Sequence, residues 1–371
     1  MGSVDLSTLK VVEEWERKAK EILPKGAYDY VNSGSGKEET STKNVQVFSK
    51  WSLVPRMLRN VKTSSLATKL WGVTLATPVM LAPVGFQTVI HPSGELAAAK
   101  ASDKLGIPYI TSTVSSYNIE AIALAAPTTP KFFQLYWPGD DEIAVSFVRR
   151  AEQSGYTAIV LTVDTSVIGY RERDLQNQYF PLRQGAGMAN YLSDPIFQKK
   201  YNAEGSNEQT ELIGKIAPLI FNQTLTWEKV AWLKTKTSLP VIIKGILHPA
   251  DAKLAKAYGV DGVVVSNHGG RQLDGAISSL EALPAIAKEL KGEMPIFFDG
   301  GIRRGSDIIK ALALGADFVC VGRLYAYGLA FGVEGVYTVL KNLISDLDVS
   351  LALTGVTSIS EVDDTIIVKN T

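Results

Sequence analysis

From residue 77 onward, short apolar runs rich in β-branched residues alternate with segments of helical spacing, and nothing else in the chain restricts its fold so much. The runs are "TPVMLAPVG", "IPYITSTV", "KFFQLYW", "YTAIVLTVD", "LPVIIKGI", "DGVVVSNHGG", "MPIFFDGG" and "DFVCVGR"; "GELAAAKASDKLG" and "SDIIKALALGAD" are typical of the helical segments between them. Eight such pairs over about 260 residues predict an α/β fold, a (β/α)8 TIM barrel, with a doubly wound sheet as the alternative. Strands apolar along their whole length suit a sheet covered on both faces. Polar residues gather where the runs end: Gln134, Tyr136, Thr162, Asp164, Lys244, His268, Arg271, Asp299 and Arg323. Barrel enzymes build their sites on that rim, whereas a purely structural polar set would occupy the opposite rim as well.

Two stretches depart from the repeat. Residues 1 to about 76 read as N-terminal helices ("LKVVEEWERKAKEIL") and an irregular "SGSGKEETSTKN" segment that would cap the barrel. Residues from about 165 to 226 separate the fourth and fifth runs, far more than the usual two to six residues of such a loop. The segment "QGAGMANYLSDPIFQKKYNAEGSNEQT" has weak periodicity and reads as a mobile cover over the site. Residues 1–371 thus form a single expected domain, with the barrel at about 77–345 and the lid at about 165–226.

Charge narrows the partner. The 371 residues carry 38 basic and 38 acidic side chains, so neither a nucleic-acid groove nor an anionic membrane surface is expected, and the partner is a small molecule. Cys320 is the only cysteine, which excludes an internal disulfide and a cysteine-rich metal site and suits a reducing compartment; no metal is expected. "MGSVDLSTLKVVEEWERKAKEILPKG" lacks the apolar core of a signal peptide, and Leu6 stands where a myristoylation signal needs Ser or Thr. No apolar run approaches the roughly 20 residues of a spanning helix, and "VKNT" is not a peroxisomal tripeptide. A cytoplasmic protein is expected, and the "NQT" at 222 is not read as a glycosylation site.

Two of the loops look fit for phosphate. "FFDGGIRRGSD" and "CVGRLYA" end the seventh and eighth runs, where barrels often bind phosphate through glycine N–H groups and a helix N-terminus. Gly300, Gly301 and Gly322 permit close backbone approach, while Arg303 and Arg323 offer planar charged donors. Of the three histidines, His91 and His248 each precede a proline and read as helix starts. His268 differs: it ends a strand, beside Gly269 and Gly270 and three residues before Arg271. A base beside a carboxylate-binding arginine suits an organic acid.

"SNHGGRQLDG", together with "YDYVNSGSG", "FFQLY", "LTVDT", "VIIKGI", "FFDGGIRRGSD" and "VGR" in that order, resembles the FMN-dependent α-hydroxy acid oxidase and dehydrogenase family over about residues 8 to 360. The resemblance implies that His268 is the base facing the substrate and that Asp164 accepts from its other ring nitrogen. Arg271, Arg171 and Tyr30 would hold the substrate carboxylate, with Tyr136 on the hydroxyl. For FMN, Lys244 would stand beside the flavin, Ser112, Gln134 and Thr162 would bond its ring, and Pro83, Val84 and Gly85 would lie against it. Ser266 and Asp299 would complete the cofactor's polar contacts, Asp299 on the ribityl chain, and Gly301, Arg303, Gly322 and Arg323 would hold the phosphate. The implied reaction turns an L-2-hydroxy acid into a 2-oxo acid, with dioxygen giving hydrogen peroxide or, in the dehydrogenase alternative, a quinone taking the electrons. A homotetramer is implied as well. Val114 stands where glycolate oxidases carry tryptophan and some lactate oxidases tyrosine, and Gly85 replaces a common alanine. Both changes predict room for a medium or aromatic side chain on the acid. Asp274 receives no role.

Overall fold

The apolar runs become strands that pair in parallel and close into a ring. The structure is a computed structural model and describes residues 5–202, 205–290 and 292–370. The first four residues of the N-terminal stretch, Ala203 and Glu204 of the long loop and the final threonine of "VKNT" lie outside the described residues. The barrel strands are β1 (Val79–Leu81), β2 (Tyr109–Thr111), β3 (Lys131–Leu135), β4 (Ala158–Thr162), β5 (Val241–Ile246), β6 (Gly262–Val265), β7 (Ile296–Asp299) and β8 (Phe318–Val321). They are neighbours in that order, and β8 returns to β1 through the pairing of Val319 with Val79. Closure leaves no edge strand, which rules out the doubly wound alternative. Each strand lies within the run that predicted it.

Alternation along the strands sorts their side chains into two layers. Met80, Ile110, Phe132, Val160, Ile242, Val264, Phe297, Phe318 and Cys320 fill the barrel interior. Leu81, Phe133, Ile159, Leu161, Ile243 and Val263 face the surrounding helices. Phe297 stacks on Phe318 with centroids 5.1 Å apart, and truncating such a ring typically costs about 3–5 kcal/mol.

The first 76 residues serve both ends of the barrel, not one. The hairpin of Thr68–Leu70 and Val73–Leu75 puts Leu70 and Leu75 into the interior cluster and closes the end where the strands begin. The helices Lys25–Asn32 and Glu39–Gln46 lie instead over the ends where the strands finish, tied there by Ser35 N–H donating to Gly270 O at 2.9 Å.

The long loop is more ordered than its sequence suggests. It contains the helices Glu172–Gln176, Ala189–Leu192, Pro195–Tyr201 and Gln209–Ile220. Asn190, Tyr191, Asp194 and Phe197 are wholly buried, so this middle part belongs to the core and is not a detached cover. Three of the helices have seven residues or fewer, too short to display a 3.6-residue period, and their order comes from caps and buried partners. The Asp194 side chain accepts from Ile196 and Phe197 N–H and pairs with the buried Arg150. Among the described residues no helix is long and apolar enough to cross a membrane.

Candidate active site

β4, β5 and β6 end beside one another and deliver the central groups. The bulge at Gly245 in β5, where the register with β6 shifts, makes room for Asp164: a Cβ on Gly245 would stand 2.7 Å from that of Asp164. Asp164 Oδ1 lies 2.9 Å from His268 Nδ1, and His268 Nε2 lies 3.4 Å from Tyr136 OH. His268 has φ of 58°, a left-handed conformation seldom adopted by a residue with a Cβ and one that recurs at functional positions. Ser266 Oγ supports it by accepting the His268 N–H at 3.0 Å. Burial pushes the imidazole below its usual range, although the Asp164 charge acts the other way. Burial pushes Asp164 up, but His268 and Lys244 outweigh it and leave the carboxyl lowered. Burial pushes the Tyr136 phenol up to about 12, so it keeps its proton.

Lys244 is buried among partners. Its Nζ donates to Ser266 Oγ at 2.9 Å and lies 3.2 Å from Asp299 Oδ2, while Ser266 donates to Asp299 Oδ1 at 2.6 Å. Burial disfavours the ammonium, yet Asp299 and Asp164 more than compensate, and its pKa is raised. Below the cavity, Gln134 links β2 to β4: its amide donates to Thr162 Oγ1 at 3.0 Å and its oxygen accepts from Ser112 Oγ at 3.2 Å.

The arginines are aimed by the N-terminal helices. Both N–H groups of Arg271 Nη1 are taken by the carbonyls of Tyr30 and Ser33, at 2.7 and 2.8 Å. Among the described residues nothing else bonds its Nε and Nη2 edge, the geometry for a bidentate carboxylate. The guanidinium lies 4.9 Å from the centre of the Tyr30 ring. Arg171 donates through Nε to Arg271 O at 3.2 Å, and burial followed by the Arg271 charge pushes it down to about 10. Arg323 donates to the carbonyls of Val31, Asn32, Gly269 and Ser33, and burial holds it near the same value, about 10. Arg303 bonds the Ile302 carbonyl at 3.0 Å.

These groups share a cavity of about 590 Å³, a size suited to a cofactor and a small substrate. Tyr30, Pro83, Val84, Gly85, Val114, Tyr136, Arg171, Lys244, His268, Arg271, Asp299, Gly301, Arg303, Gly322 and Arg323 line it, whereas Asp164, Ser112, Gln134, Thr162 and Ser266 stand behind the lining. The residues fit FMN. Gly300, Gly301, Gly322, Arg303 and Arg323 form a cationic, glycine-rich end suited to a phosphate, and a Cβ on Gly322 would meet only Ala82, at 3.8 Å. The buried Lys244 and the Pro83–Gly85 backbone also line the cavity.

Several residues here were not legible in the sequence. Gln272 donates to the carbonyls of Asp164 and Val167 and accepts from Gly169 N–H, binding the start of the long loop to the "SNHGGRQLDG" turn. Asp174, buried near Arg271 and Arg171, lines the cavity, and burial raises its carboxyl. The "RERD" cluster is the only local signal for it. Ile213, Ala217, Ile220 and Phe221 give the cavity an apolar wall from the helix Gln209–Ile220 and its end. Asp274 accepts from Lys37 N–H at 2.9 Å and Thr40 N–H at 3.0 Å, so it fastens the N-terminal segment and not the helix that follows it. His248 caps its helix by accepting from Ala250 N–H, and His91 accepts from Ser93 N–H, as expected of helix starts. Among the described residues no cluster of three or more His, Cys, Asp or Glu is arranged to hold a metal ion.

Comparison with known proteins places the chain among flavoenzymes. A family model described as FMN-dependent dehydrogenase matches residues 19–369. The L-lactate oxidase of Lysinibacillus sphaericus is 48% identical over 357 residues, 96% of this chain and 92% of that protein. 2-Hydroxyacid oxidase 1 of Homo sapiens is 39% identical over 367 residues, 98% of each. Mandelate oxidase solved with benzoyl-formic acid superposes with a TM-score of 0.85 at 36% identity, covering 95% of this chain and 96% of that one.

Proposed function

The chain belongs to the FMN-dependent dehydrogenase family, and on that premise we propose that it oxidises an L-2-hydroxy acid to the 2-oxo acid and passes the electrons to dioxygen, giving hydrogen peroxide. FMN is the cofactor and supplies the two-electron acceptor when bound. The observation that carries the residue assignments is the contact of His268 Nδ1 with Asp164 at 2.9 Å, beside the free edge of Arg271 and the buried Lys244.

Arg271 clamps the substrate carboxylate through Nε and Nη2, with Arg171 and the Tyr30 hydroxyl completing the anion site. Tyr136, protonated, donates to the substrate's hydroxyl oxygen. His268, neutral because burial depresses its pKa, takes a proton from the substrate at Nε2. Asp164 holds the Nδ1 proton and stabilises the imidazolium that forms. Lys244, kept in place by Ser266 and Asp299, would supply fixed positive charge to the flavin ring. Ser112, Gln134 and Thr162 would bond the ring, Pro83, Val84 and Gly85 would lie against it, and Gly301, Arg303, Gly322 and Arg323 would hold the phosphate.

A medium or aromatic side chain on the acid is supported by the wall of Ile213, Ala217, Ile220 and Phe221 and by the small Val114. Val114 and Gly85 are coupled: a Cβ on Gly85 would stand 2.5 Å from Val114 Cγ2, so alanine at 85 requires Val114 to move. The relative named L-lactate oxidase keeps lactate among the substrates to compare. Residues 1–371 act as one unit, with the barrel and the 165–226 segment sharing the site. A homotetramer would cover the exposed Val54, Met57 and Leu58, and a cytoplasmic setting suits the free, buried Cys320.

Anaerobic mixing with glycolate, L-lactate, L-mandelate and a longer-chain acid, read by bleaching of flavin absorbance, tests the reading. Bleaching fastest with the larger acids is expected, and a sharp glycolate optimum defeats the proposed side-chain preference. Admitting oxygen should restore the colour with formation of peroxide; restoration only by a quinone assigns the protein as a dehydrogenase.

A further inference from the structure

The loop after β1 presents one peptide to the cavity, and that peptide is held from behind. The Val84 carbonyl accepts from Gln87 Nε2 at 2.9 Å, and Gln87 is wholly buried. The same nitrogen reaches Tyr109 OH at 2.9 Å and Tyr325 OH at 3.3 Å, while Tyr325 donates to the Ala82 carbonyl at 2.9 Å. Glu95, wholly buried in the helix Gly94–Leu105, accepts the N–H groups of Gln87 and Ser116, each at 3.0 Å through one oxygen. One carboxylate therefore joins the loops after β1 and β2, which also meet through Phe86 N–H donating to the Val114 carbonyl at 2.9 Å. Burial pushes Glu95 up to about 7 against the N–H groups of Gln87, Ser116 and Tyr117, so an apolar residue would serve packing alone at lower cost.

A trans peptide is planar, and its N–H points away from its C=O. No cis bond occurs among the described residues. With the Val84 carbonyl drawn back to Gln87, the Gly85 N–H is turned the other way, towards the cavity that Val84 and Gly85 line. Among the described residues no protein group accepts it.

We propose that Gln87, held by Glu95, is a positioning residue that presents the Gly85 N–H to the redox end of bound FMN and thereby raises its reduction potential. A donor fixed towards the ring stabilises its electron-rich form and needs no reorganisation as charge arrives. The proposal rests on FMN occupying this cavity with its ring against Pro83–Gly85, as proposed above.

The test is the midpoint potential of the FMN-loaded protein, measured by equilibration with reference dyes. Gln87→Met keeps much of the side chain's length and removes both donors. It should retain FMN, shift the potential to a more negative value and lower kcat about tenfold, as expected for one misaimed hydrogen bond to a charged acceptor, with KM for the acid little changed. Tyr325→Phe should shift the potential the same way by less, and it decides alone if Gln87→Met does not fold. Ser102→Ala removes a buried hydroxyl on the Glu95 helix that bonds Ala99 O at 3.0 Å and, among the described residues, nothing else; it should leave the potential at the wild-type value. An unchanged potential in the Gln87 and Tyr325 variants, or an equal shift in Ser102→Ala, overturns the proposal. Failure of the unsubstituted protein to take up FMN defeats the cofactor placement instead.

Discussion

At His268 two influences oppose each other, burial lowering the ring's pKa and the Asp164 charge raising it, with burial the stronger. The reaction needs the neutral ring, so kcat/KM rises with pH through a value below the ordinary 6.5 of histidine and levels off above it. Asp164→Asn removes the raising influence, so the acid limb should move to lower pH. The plateau should fall by about 10²- to 10⁴-fold, because the Nδ1 proton loses its charged acceptor. A kcat/KM profile checks both effects, and an acid limb displaced upward would contradict the assignment. His268 and Arg271 were legible in the sequence because a strand end followed by His, two glycines and Arg is a local pattern. Gln87 and Glu95 were not: Gln87 interrupts no pattern, and Glu95 looks like any acid in the first turn of a helix. Gln87's partners Tyr109 and Tyr325 lie 22 and 238 residues from it along the chain.

At the level of elements, the strands were the most legible part, since each is built around consecutive apolar residues and most follow directly on a proline. The bulge in β5 was hidden, because "VIIKGI" reads as an unbroken strand and its glycine as a simple weakness. Its function is steric, and φ of 112° at Gly245 is in any case a conformation that favours glycine. Gly245→Ala should strain the backbone by about 1–3 kcal/mol and push the Asp164 carboxylate away from His268. The expected outcome is a lowered Tm with a fall in kcat approaching that of Asp164→Asn, measured by thermal melting and steady-state rates. A variant with a lowered Tm and normal kcat would show that the bulge does not position Asp164. The long loop was the least legible element. Its short helices depend on contacts such as Asp194 with Arg150, 44 residues apart, for which the sequence carries no periodic signal.

Across the whole molecule, site and fold are joined through the N-terminal helices, and the barrel pattern says nothing of this. Asp274 holds that segment by two backbone N–H groups, Asn44 and Asn267 exchange side-chain hydrogen bonds of 2.8 Å, and Arg271 and Arg323 bind its carbonyls. A ligand that binds only the folded state adds about 2.7 kcal/mol of stability at a hundredfold excess over Kd. Stripping FMN should therefore lower Tm by roughly 3–4 °C, and restoring FMN should recover it in a concentration-dependent way; a Tm indifferent to FMN would count against its burial in this cavity. The carbonyl oxygen of Ser33 accepts from both Arg271 and Arg323, each at 2.8 Å. In the proposed assignment one guanidinium would hold the acid and the other the phosphate, so a single backbone atom would serve both. The two ends are thus mechanically linked: whatever steadies one arginine lowers the freedom of the other, and a chain already carrying its flavin meets the acid with part of the anchoring entropy already lost.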